Sequence, residues 1–67
     1  MIREVIESFG FTRVTNSKYV KSGVTLWLDS NLNIMLMTLD HIRVIKVKDI
    51  LDARKSIENF LEHVGEL

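Results

Sequence analysis

The stretch Val24-Thr25-Leu26-Trp27-Leu28-Asp29-Ser30-Asn31-Leu32-Asn33-Ile34-Met35-Leu36-Met37-Thr38-Leu39 decides the fold. Val24–Leu28 alternates and is rich in β-formers, which reads as a strand. Ile34–Leu39 is almost wholly apolar. Between them, Asp29–Asn33 carries the Asp, Ser and Asn side chains that bond their own backbone in turns. If that loop closes a hairpin, Leu28 opposes Ile34. Downstream, Asp40-His41 reads as a tight turn, with Leu39 opposing Ile42, and Ile42–Val47 as the last strand. Upstream, Ser22-Gly23 supplies the positive φ of a two-residue hairpin turn. Tyr19–Lys21 is extended, Asn16-Ser17 is a turn, and Phe11–Val14 is a short extended stretch.

Helices flank this β region. Ile2, Val5, Ile6 and Phe9 fall on one face of a 3.6-residue period. Gly10 then occupies the left-handed position past a helix end, with Phe11 placed to touch Ile6. At the other end Asp49 is the N-cap, and Asp52 lies three residues on, near the positive end of the helix dipole. Ile50, Ala53, Ile57, Phe60, Leu61 and Val64 make one stripe, and Gly65 stops the helix. The expected architecture is an α+β two-layer sandwich in the order α-β-β-β(-β)-α. An antiparallel sheet of three or four strands carries two helices on one face, and residues 1–67 form a single domain.

Alternation sorts the sheet into two faces. One holds Val24, Leu26, Leu28, Ile34, Leu36, Ile45 and Val47, with Thr38 and Arg43 at one end. It is the face for both helix stripes. The other holds Thr25, Trp27, Met35, Met37, Leu39, Ile42, Val44 and Lys46, with Trp27 opposite Met35 and Met37 opposite Val44. Most of these are large and apolar, yet both helices are spent on the first face. A contiguous uncovered patch marks an interaction site, and Trp and Met are enriched in interface cores. In the competing arrangement the N-terminal segment or a helix folds over this face, and Trp27 and the methionines become plain core.

The chain has 67 residues with nine basic and nine acidic side chains, no Pro and no Cys. Disulfides and thiolate metal sites are therefore excluded. A core this small gives marginal stability, so self-association is the remaining stabilising device. No apolar run approaches the roughly 20 residues that span a bilayer. The Met1-Ile2-Arg3-Glu4 start is charged where a signal peptide is apolar. The expected location is cytoplasmic, away from membranes. Charge is uneven: residues 8–28 carry Arg13, Lys18 and Lys21 with no acid, whereas residues 49–67 carry five acids against Arg54 and Lys55.

Nothing in the sequence builds a catalytic constellation. His41 falls in a turn and His63 on the outer part of the last helix, far apart in sequence. Asp29 and Asp40 are ordinary loop acids. No glycine-rich phosphate loop or His-Glu-x-x-His is present. No catalytic, cofactor or metal residue and no small-molecule substrate is expected, and the chain reads as a non-enzyme.

The partner-binding residues are therefore Trp27, Met35, Met37, Ile42 and Val44, with Arg13, Lys18, Lys21 and Lys46 as a charged rim. The expected function is protein binding: self-association as a homodimer, or inhibition or adaptation of a larger protein. Phage and mobile-element accessory or anti-defence proteins, which act by occupying a surface, are of this type. The alternative is a small RNA- or DNA-binding protein that stacks bases on Trp27 and Tyr19 beside the basic 13–21 stretch. The short helix, the Gly10-Phe11 break, the strands and the final helix resemble the double-stranded-RNA-binding fold, including the HicA-type toxin ribonucleases. Where those toxins carry Gly-Ser-His before the second strand, this chain reads Asn16-Ser17-Lys18. The resemblance implies a fold shape and no ribonuclease activity.

Overall fold

The computed structural model describes residues Met1–Leu67. It runs α1 (Ile2–Ser8), β1 (Thr12–Arg13), β2 (Lys18–Lys21), β3 (Val24–Leu28), β4 (Asn33–Met37), β5 (Ile42–Lys46) and α2 (Ile50–Val64). The strands form one antiparallel sheet in the order β1-β2-β3-β4-β5, so each strand pairs with its neighbour in sequence. The α+β layout and the two outer helices are as the sequence predicts. The sheet has five strands rather than three or four, because Phe11–Val14 contributes a two-residue strand, with Thr12 paired to Val20 and Arg13 to Tyr19.

Each boundary has a local cause. Gly10 takes φ 92° after α1 and its N–H bonds the Glu7 carbonyl. Lys21 reaches across to donate from Nζ to the Phe9 carbonyl at 2.6 Å, satisfying a carbonyl at the helix end. At the Ser22-Gly23 turn the positive φ (49°) falls on Ser22. The Asp29–Asn33 loop closes on Asp29, whose carboxylate accepts from the Asn31 N–H, the Asn33 N–H and the Asn33 side-chain amide. Leu28 then opposes Ile34, as expected.

The next hairpin differs. Met37, not Leu39, opposes Ile42, and Met35, not Met37, opposes Val44. The Thr38 hydroxyl accepts from the Asp40 and His41 N–H groups, and the Thr38 N–H bonds the His41 carbonyl. Thr38 therefore ends the strand and makes a four-residue loop instead of a two-residue turn. The register moves by two residues, which preserves the face of every side chain. Leu39 leaves the sheet and is fully exposed in the loop.

The Asp49 side chain caps α2 by accepting from the Asp52 N–H at 2.8 Å, and the Asp52 carboxylate accepts from the Lys48 N–H. Gly65 at φ 76° ends the helix with paired bonds, Gly65 N–H to Glu62 and Glu66 N–H to Leu61. Ala53, Ile57, Phe60 and Leu61 are buried, whereas Ile50 in the first turn is exposed, off the end of the expected stripe.

One core joins all layers. Val5 and Ile6 of α1 and Phe11 meet Tyr19, Val24, Leu26, Leu28, Ile34 and Leu36 of the sheet, Val47, and the buried side of α2. Both helices thus lie on the same face, packed against each other. No polar side-chain atom is buried without a partner, as a stable interior requires.

Candidate protein-contact surface

The face opposite the helices is built of two transverse rows, because directly opposed residues share a face. In the first, Lys18 opposes Trp27, Trp27 opposes Met35 and Met35 opposes Val44. In the second, Thr12, Val20, Thr25, Met37 and Ile42 follow each other across all five strands. Trp27, Met35, Met37, Ile42 and Val44 therefore come together on one surface, as the alternation predicts. The competing arrangement, with an element folded over this face, does not occur.

Exposure rises toward β5. Met35 and Met37 are half-buried between their neighbours, Trp27 is 37% exposed, and Ile42 and Val44 are 64% and 69% exposed. The Lys18 ammonium lies 5.2 Å from the Trp27 ring centroid, a cation–π approach to the indole face. A shallow groove of about 680 Å³ runs beside Trp27, bordered by Ser17, Asp29, Asn33, Met35 and Val44. Its floor is apolar and its loop end carries the Asp29 carboxylate. The hydrogen bonds from Asn33, side chain first and backbone second, and from the Asn31 N–H hold that carboxylate below its ordinary pKa.

The charged rim is not gathered into one cluster. Lys18 and Lys46 lie on the open face, Lys46 opposite Asn33. Arg13, opposite Tyr19, and Lys21, opposite Val24, belong to the other face. Lys21 is further engaged by the Phe9 carbonyl. Tyr19, an expected base-stacking aromatic, is wholly buried, and its hydroxyl receives a hydrogen bond from Arg3 at 2.6 Å. It offers no ring to a base.

One pairing escaped sequence reasoning. His41 and His63, far apart in the chain, have ring centroids 5.0 Å apart in an edge-to-face arrangement. The β4–β5 loop and the end of α2 meet there, around a small hollow that also touches Thr38, Asp40 and Glu66. A turn residue and a residue in the last turn of a helix carry no common pattern that would have signalled it. No three His, Asp or Glu side chains converge at metal-binding distance anywhere in the molecule, and no helix is long and apolar enough to cross a membrane. No protein family, no curated protein and no solved structure matches the chain.

Proposed function

We propose that this chain is a non-catalytic protein-binding module that acts by laying its open sheet face on the surface of another protein. The observation that carries the reading is the segregation of the molecule. Both helices cover one face of the sheet, while Trp27, Met35, Met37, Ile42 and Val44 stay together on the other. Trp is the residue type most enriched among interface anchors, and methionines adapt to a partner's shape. Burying the patch contributes about 25 cal/mol per Å² of apolar surface, less the costs of association and side-chain ordering. Lys18 and Lys46 beside it favour an acidic rim on the partner and speed encounter more than they tighten binding. An inhibitor or adaptor of a larger assembly, of the kind phage and mobile elements use, fits such a device. The nucleic-acid reading has less support, since Tyr19 is buried and the cations are divided between two faces.

The test compares wild type with Trp27→Glu. Each is immobilised and exposed to lysate of the source cell at low and high salt, with and without nuclease, after circular dichroism has checked its fold. The expected result is a folded variant that loses a defined protein retained by wild type, with retention insensitive to nuclease and only weakly dependent on salt. Unfolding of Trp27→Glu would make Trp27 part of the core and sink the reading. Capture that needs nucleic acid and fades steeply with salt would replace it with phosphate binding.

A further inference from the structure

The two edges of the sheet are unlike. β1 is two residues long, and a very short edge strand is one way proteins prevent strand addition. β5 at the other edge is five residues long, has no Pro and pairs with β4 without a bulge. Ile42, Arg43, Val44 and Lys46 are all exposed. The hydrogen-bond phase of β5 is fixed at both ends. His41 accepts from the Thr38 N–H, and the Val47 N–H donates to Leu32. By the alternation of an antiparallel ladder, Arg43 and Ile45 also point their backbone groups at β4. Ile42, Val44 and Lys46 then point their N–H and C=O groups away from the sheet, with nothing in the chain to receive them.

We propose that β5 pairs antiparallel with β5 of a second copy of this chain, about a two-fold axis at Val44, joining two sheets into one. The proposal takes from the functional reading above only the identity of the open face, and the pairing itself is made by β5 backbone. The strand is self-complementary in this register. Val44 opposes its own copy, Ile42 opposes Lys46 of the copy, and Lys46 opposes Ile42. Each of these three is a hydrogen-bonded pair with two N–H···O=C bonds, so every outward group is satisfied.

Charge agrees with this register and disfavours one centred on Lys46. Lys46 meets an aliphatic side chain rather than another Lys, whereas a strand centred on Lys46 would oppose like charges. Arg43 is on the helical face, where its guanidinium lies 5.5 Å from the Phe60 ring centroid. Opposed residues share a face, so Ile42 and Val44 of both copies come side by side. Two open faces then join across the Val44 pair, with each Lys46 beside Ile42 of the other copy. The contact itself is small, which places it among reversible, concentration-dependent dimers.

Amide hydrogen exchange on the wild-type protein tests this directly. The Arg43 and Ile45 amides, bonded to β4, are expected to be protected at all concentrations. Those of Ile42, Val44 and Lys46 are expected to exchange freely in dilute solution and roughly tenfold slower or more when the protein is concentrated. Free exchange of these three at every concentration would overturn the proposal. Light scattering on two variants separates it from the function proposed above. Val44→Pro removes an outward N–H and leaves the β4 ladder intact, so it is expected to be monomeric where wild type is a dimer. Trp27→Glu, two strands inward, is expected to remain dimeric. A dimer lost in Trp27→Glu but kept in Val44→Pro would overturn edge pairing and leave the open face as the contact surface. If Val44→Pro does not fold, the exchange result decides alone.

Discussion

At the scale of single residues, Asp29 has more to do than its exposure suggests. Three hydrogen bonds converge on its carboxylate and fix the β3–β4 loop. They lower its pKa in the folded chain below the ordinary 3.8. A depressed carboxylate stabilises the fold fully above the unfolded pKa, and the contribution disappears as pH falls through the folded value. Thermal melts from about pH 5 to about pH 2 should therefore fall more steeply for wild type than for Asp29→Asn. Parallel curves would show that the loop does not depend on the charge. The Asp29 loop was readable in the sequence because Asx chemistry is local. Tyr19 was legible in the same way: a two-residue turn at Ser22-Gly23 pairs Lys21 with Val24 and so sets Tyr19 opposite Leu26 on the helix-covered face, which rules out its role as a base-stacking ring.

At the scale of elements, the clearest helix was α2, and its cap was legible from Asp49 and Asp52 alone. Removing the cap acceptor with Asp49→Ala should cost about 1 kcal/mol, read as a shift in the urea midpoint at unchanged slope. The Asp52–Lys48 bond on the reciprocal side should survive the substitution. An unaltered midpoint would mean that packing of Ala53 and Ile57 holds the first turn without it. The strands show why some boundaries were hidden. Ile34–Leu39 is apolar except for Thr38, and a single Thr is at home in a strand, so the period alone does not signal a stop at Met37. The stop comes from the Thr38 hydroxyl bonding Asp40 and His41. The resulting error in register was an even number of residues, and so the face assignment survived it. Likewise Ile50 matched the helical period yet is exposed. Periodicity gives direction around a helix but not whether a partner extends that far along it.

At the scale of the whole molecule, a single core holds every element, so local damage is global. Leu36 is fully buried on the central part of the sheet beneath the helices. Leu36→Ala should cost about 3 kcal/mol. A chain of this size has on the order of 7 kcal/mol in all, at about 0.1 kcal/mol per residue. The variant should stay folded at 25 °C with a much lower melting temperature, and all elements should be lost in one transition. Separate melting of the helices and the sheet would argue against a shared core. What the sequence could not convey at this scale is the clasp between the first helix and the last, since no residue pattern links Val5 and Ile6 to Ala53 and Phe60. That clasp has a consequence in time. Every strand adds beside the one before it, so each sheet contact closes only a short loop of chain. The contact between α1 and α2 alone must gather the two ends, and short-range steps precede long-range ones when loop closure sets the rate. The meander, with α1 already tied to β2 through the Lys21–Phe9 and Arg3–Tyr19 bonds, is thus assembled before its two ends are fastened together.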